Sequence, residues 1–139
     1  YGLAMNHSKD DLARAVVEGN AFAFADIALR LRELGLGGQI RVVGGGRRSN
    51  FSLVAKATLT GSPVHLVTAE ESTAVGGAML AALGAGIFST MAECVDAVVE
   101  LAPETIEPDP ALKDVLSCAY AEYRKLYDCL EESFAGGRQ

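Results

Sequence analysis

Apolar residues recur every three or four positions at Leu12, Ala15, Val16, Gly19, Phe22, Ala23, Ile27, Leu31 and Leu34. That period predicts an amphipathic helix. Ser8 with Asp11 at the third helical position makes a capping-box start. Gly35, Gly37 and Gly38 then end the helix. The pattern next shortens to two apolar, β-branched runs, Ile40–Val43 and Val64–Val67, which read as strands. Between them a helix is expected from Asn50 to about Leu59, closed by the turn Gly61–Ser62–Pro63. A small-residue helix follows from Ser72 to about Leu83, and its adjacent Gly76 and Gly77 suggest a backbone or ligand approaching closely. Thr90, with Glu93 three residues on, caps a helix expected to reach about Leu101. Pro103 to Pro110 reads as an extended connector. A last helix from Ala111 to about Phe134 carries a broad stripe: Leu112, Val115, Leu116, Ala119, Tyr120, Tyr123, Leu126, Tyr127, Leu130 and Phe134. Residues from Gly136 onward are expected to fray.

The helix–strand–helix–strand–helix order predicts an α/β fold. Its two strands should be adjacent and parallel, joined by a right-handed crossover through the Asn50–Leu59 helix, with helices on both faces. Two strands make a poor sheet, so further strands are expected from outside these residues. The chain also begins at Tyr1 and enters a long helix almost at once. Both features suggest a piece of something larger.

The sharpest local feature is Ile40–Arg41–Val42–Val43–Gly44–Gly45–Gly46–Arg47–Arg48–Ser49–Asn50. A buried strand, a glycine turn and a helix N-terminus in succession bring bare main chain beside unpaired N–H groups and a partial positive charge. A nucleotide can lie close to such a surface; a turn that needs glycine only for sterics is the plainer alternative. No GK[ST] follows the glycines, which excludes a Walker loop, and Ser49 stands where a G-x-G-x-x-G fingerprint needs Gly or Ala.

Composition narrows the function classes. The chain has 139 residues, of which 50% are hydrophobic, with no Trp and a net charge of −6. One domain at most fits this length. The acidic balance argues against nucleic acid as a partner, since a phosphate backbone needs a basic footprint and only Arg41, Arg47 and Arg48 cluster. No apolar run approaches the roughly 18 residues of a membrane span, and no signal-peptide pattern appears. Cys94, Cys118 and Cys129 are odd in number and lack metal-site spacing, so reduced thiols in a cytoplasmic protein are expected. His7 and His65 are isolated, and no metal cluster is expected.

Several motifs, taken together, resemble one family. Gly2–Leu3, Asp11–Leu12 and Ala15–Val16–Val17–Glu18 are similar to the second half of the signature of FGGY carbohydrate kinases. Gly44–Gly45–Gly46–Arg47–Arg48–Ser49 resembles that family's GGG-x-[KR]-S adenosine-binding segment, and Gly61–Ser62–Pro63–Val64 its G-x-P-V turn. Glu70–Glu71–Ser72–Thr73–Ala74–Val75–Gly76–Gly77–Ala78 is similar to the E-x-x-x-A-L-G-A-A helix start. Ala85–Gly86–Ile87–Phe88–Ser89 and Glu107–Pro108–Asp109–Pro110 resemble the downstream punctuation. Arg47 stands where the family has a small residue, Gly77 replaces a common alanine, and Asn50–Phe51–Ser52 replaces Pro–Leu–Trp. Asn50 is shared with the glycerol-kinase branch.

The resemblance implies a ribonuclease-H-like, actin-like ATPase domain fragment. Residues 1–139 would be the C-terminal, nucleotide-binding side of a sugar kinase, with 111–134 as its C-terminal helix. ATP with Mg2+ would be the cofactor, and a ketose, polyol or glycerol the substrate, bound through an N-terminal domain that this chain lacks. Gly44, Gly45, Gly46, Arg47, Ser49 and Asn50 are the expected nucleotide-binding residues: Gly45 and Gly46 against purine or ribose, Ser49 and Asn50 to its hydrogen-bonding edge while also capping the next helix. Arg47 and Arg48 either flank the phosphates or, as is commoner for surface arginines, stand solvated, and the roles of Arg48, Glu70 and Glu71 stay open. The resemblance assigns no catalytic base to this chain, so the isolated piece is expected to be inactive. A non-catalytic interaction or oligomerisation domain on the same fold is the alternative, with the Leu112–Phe134 stripe as its partner surface; a homodimer is open under either reading.

Overall fold

The computed structural model describes residues 2–69 and 71–136, with side-chain surroundings as far as Glu131. Helix α1 (Lys9–Glu33) begins at Ser8. The Ser8 hydroxyl accepts from the Asp11 N–H at 3.3 Å, while the Asp11 carboxylate accepts from the Ser8 N–H at 2.8 Å. These bonds hold the Asp11 carboxyl below the usual carboxylate range. Strand β1 (Ile40–Val42) leads through a 3-10 turn at Gly44–Arg47 into α2 (Asn50–Thr60). Gly61, at φ +62°, ends α2, with the Ser62 N–H returning to the Ala57 carbonyl at 3.2 Å. Strand β2 (Val64–Val67), α3 (Ser72–Gly84), α4 (Met91–Val98), β3 (Leu101–Ile106) and α5 (Pro110–Gly136) complete the order.

The sheet runs β1-β2-β3. β1 and β2 are parallel, with Ile40 opposite Val64 and Val42 opposite Leu66, as the two apolar runs predict. The third strand corrects the expectation at Leu101–Ile106. Leu101 leaves the α4 helix three residues after its end, and the Pro103 region is a strand antiparallel to β2 rather than a bare connector. Proline survives here because β3 is an edge strand whose register slips: Val67 pairs with Leu101, yet His65 pairs with Thr105. Pro103 lies within that irregularity, where it removes no ladder bond that the sheet needs.

Ile40, Val42, Val64, Leu66 and Ile106 form one apolar face, packed on Leu53 and Ala57 of α2. Beyond α2, Phe22, Ala21, Ala55 and Leu116 close a second core with Leu112, Ala119, Tyr120 and Tyr123. The result is a small mixed sheet flanked by helices, with α2 sandwiched between the strands and the α1–α5 pair. The opposite face carries the cross-strand row Arg41, His65 and Thr105, in which His65 and Thr105 approach to 3.4 Å.

The long stripes are only partly used. Of the nine apolar α1 positions that set the helical period, Phe22 alone is buried; Val16 is 74% exposed, and Leu12, Ile27, Leu31 and Leu34 also face outward. The buried face is instead Ala21, Phe22 and Ala25. On α5, Val115, Tyr127 and Leu130 are exposed while Leu116 is buried; the surroundings of Phe134, and everything after Gly136, lie outside the described residues. A clash-free Cβ could stand at Gly76 or Gly77, so no described part of this chain makes the close approach expected there.

Candidate functional site

The two parallel strands end side by side, and the segments leaving them build a cleft. After β1 the chain turns at Gly44, whose φ of +61° a side-chain-bearing residue rarely adopts. The turn then tightens into one 3-10 coil through Arg47, and Ser49 starts α2 by accepting the Ser52 N–H at 3.3 Å. After β2 the chain passes Thr68 and opens α3 at Ser72, where no side chain caps the first turn. Gly44, Gly45, Arg47 and Arg48 form one wall of a cleft of about 450 Å3; Glu71, Ser72 and Thr73 form the other. Crevices outside the carboxyl ends of parallel strands are where open α/β sheets bind ligands.

The three glycines are not equivalent. A Cβ on Gly45 would point into open space, so main chain is presented bare to the cleft. A Cβ on Gly46 would stand 3.3 Å from Val42 Cγ1, closer than ordinary van der Waals contact. Gly46 therefore answers to packing against β1, and it does not line the cleft. Asn50 is exposed as the first residue of α2. Ser49 lines a different depression, with Ala13, Arg14, Val17 and Phe51. So of the six expected nucleotide-binding residues, the fold brings Gly44, Gly45 and Arg47 to the cleft and leaves Gly46, Ser49 and Asn50 beside it.

Two features went unnoticed in the sequence. Ser72 and Thr73 complete the wall, signalled only by the helix-start motif that contains them. Arg47 Nη1 donates to the Thr68 carbonyl at 3.1 Å, a link across 21 positions with no sequence signal. Arg48 and Glu71, whose roles the sequence leaves undecided, both border the cleft; Glu70 lies outside the described residues. Among the described residues no group of three His, Cys, Asp or Glu is placed to hold a metal.

A strand, a glycine turn and a helix start around a polar cleft, on a small mixed sheet, match the actin-like ATPase domain fragment that the sequence resemblance implies. Comparison with known proteins agrees. The family model for the C-terminal domain of FGGY carbohydrate kinases matches residues 1–85. This chain belongs to the FGGY family of carbohydrate kinases.

The xylulose kinase of Staphylococcus epidermidis is 33% identical over 127 residues, 91% of this chain and 25% of that protein. The glycerol kinase of Citrifermentans bemidjiense is 40% identical over 94 residues, 66% of this chain and 19% of that protein. The crystal structure of xylulose kinase from Rhodospirillum rubrum superposes with a TM-score of 0.76 at 32% identity, covering 97% of this chain and 28% of that one. The chain thus spans about a quarter of the length of the xylulose kinases it matches.

Proposed function

We propose that this chain is the adenosine-holding part of an ATP-dependent carbohydrate kinase, and that the protein containing it phosphorylates a hydroxyl of a ketose, polyol or glycerol. The observation that carries the reading is the bare main chain at Gly44–Gly45, facing the first turn of α3 across the cleft. The residues fit a nucleotide. Absence of a side chain at Gly45 lets a purine or ribose rest on the backbone, and Arg48 offers positive charge to the phosphates. ATP supplies the transferred phosphoryl group, with Mg2+ held by its phosphates and by groups outside this chain.

In this reading the chain's own task is positioning. Phosphoryl transfer draws its rate from alignment and charge stabilisation, and here one end of the nucleotide is fixed. Glu71 sits at the opposite lip, so the nucleotide's anionic end is steered toward Arg48 and away from that carboxylate. The sugar pocket and the base that takes the hydroxyl proton come from the remainder of the kinase. Free thiols at Cys94, Cys118 and Cys129 suit a cytoplasmic enzyme. A second reading, an interaction domain on the same fold, draws on the outward apolar faces of α1 and α5.

ADP release by the full-length protein, assayed with ATP and a panel of ketoses, polyols and glycerol, separates the two. Kinase function predicts turnover with at least one of these and none by residues 1–139 alone. Full-length protein inert towards the whole panel would favour the interaction domain, and transfer by the isolated chain would overturn the division of labour.

A further inference from the structure

We infer that Arg47 is a positioning residue whose guanidinium fastens the glycine turn to the end of β2 and so sets the surface on which the nucleotide rests. This rests on the nucleotide reading above. The turn has few other restraints. Three of its residues have no side chain, Val43 gives it no side-chain cap, and its own bond from the Arg48 N–H to the Gly45 carbonyl (3.2 Å) stays within the turn. A Cβ built at Gly44 or Gly45 would meet nothing within 4 Å, so no side chain there could tie the turn to β2.

The Arg47 bond supplies that hold, from Nη1 to the Thr68 carbonyl at 3.1 Å. Its anchor is itself secured. The Thr68 N–H and hydroxyl both donate to the Glu100 carbonyl, at 2.9 and 3.2 Å, just before β3. One strap thus runs from the turn after β1, through the end of β2, to the start of β3. A glycine run left loose must lose its conformational freedom on binding, whereas one already tied down loses less, and preorganisation of this kind appears as affinity.

An arginine lining the cleft has a rival role, a direct contact to phosphate. The two differ in what they do to a ligand without phosphates. In the full-length protein, titrate ATP and adenosine into wild type, Arg47→Ala and Arg47→Lys, and follow amide exchange across residues 44–50. The strap predicts that Arg47→Ala weakens ATP and adenosine alike, by about threefold to tenfold for one lost bond. Exchange at Gly45–Arg48 rises, KM for ATP rises while KM for the sugar is kept, and Arg47→Lys, which retains a donor, recovers part of each effect.

Weakening of ATP with adenosine binding intact would replace the strap by a phosphate contact, and unchanged exchange in Arg47→Ala would also overturn it. Should Arg47→Ala not fold, the same contrasts are read between wild type and Arg47→Lys, where the strap predicts smaller changes of the same sign. Wild type that binds neither ligand defeats the nucleotide reading instead, and the exchange readout still reports whether Arg47 holds the turn.

Discussion

Helices α2 and α3 each follow one of the two parallel strands, yet they live in opposite surroundings. Seven of the eleven residues of α2 are buried: Ser52, Leu53, Ala55, Lys56, Ala57, Thr58 and Thr60. Only Met79 is buried among the thirteen of α3, against the Cys94 of α4. Both buried threonines of α2 are engaged: the Thr58 hydroxyl donates to Val54 O and accepts the Asp109 N–H, and the Thr60 hydroxyl donates to Lys56 O. Arg32 reaches across to the Thr60 carbonyl at 3.0 Å and to Ser62 Oγ at 2.6 Å. Helix α2 is the scaffold from which the glycine turn hangs. Helix α3, with its small-residue run from Gly76 to Ala78, contributes only Met79 to the buried interior of the described residues.

The difference should be largest in the cores. Leu53, 2% exposed between β1 and β2, loses about 2–5 kcal/mol of stability on truncation to Ala. Leu80, 62% exposed on α3, changes stability by no more than about 0.5 kcal/mol when truncated in the 139-residue chain. Urea midpoints for the two variants check this; equal losses would mean that α3 is packed as α2 is. A smaller contrast lies at the N-termini. Ser49→Ala removes the cap of α2 at a cost of about 1 kcal/mol, while Glu71→Ala, which removes no capping bond, leaves the melting temperature where it was.

The smallest effect is electrostatic. Lys56 is buried on α2, with its ammonium 5.5 Å from the Phe24 ring centre, and burial pulls its pKa below the ordinary 10.5. The charged form is therefore the disfavoured one in the folded state. Below the folded pKa the full cost of burying the charge is present; between that pKa and 10.5 the unfolded chain holds more protons, so stability rises with pH. Lys56→Met should abolish that alkaline rise. A midpoint that climbs equally in both proteins would remove Lys56 as its source.

Local rules carried most of the fold. Capping at Ser8, Ser49 and Thr90 and the apolar runs at Ile40 and Val64 needed only neighbouring residues, and those elements start where the pattern puts them. Strand β3 did not, because Pro103 argues against a strand until the edge position and slipped register are known. The α1 stripe misled for a related reason. Periodicity reports which face is apolar, and Val16 and Ile27 show that an apolar face need not be covered by this chain. At the cleft, the glycine run was legible as a turn, but its division of labour was not: only backbone geometry separates Gly44, which needs its φ, from Gly45, which faces the cleft, and Gly46, which faces Val42.

That division gives the most direct test of the central claim, that adenosine rests on the main chain at Gly44–Gly45. Measure KM for ATP in the full-length kinase carrying Gly45→Val, beside its melting temperature and its KM for the sugar. A Cβ there meets nothing within 4 Å and Gly45 lines the cleft, so a valine should stand in the nucleotide's path and KM for ATP should rise roughly tenfold, about 1.4 kcal/mol of binding. Melting temperature and sugar KM should hold. Gly46→Val, which presses on Val42, should show the reverse balance, with a lowered melting temperature as its main effect. Unchanged KM for ATP in folded Gly45→Val would place the nucleotide elsewhere and contradict the account.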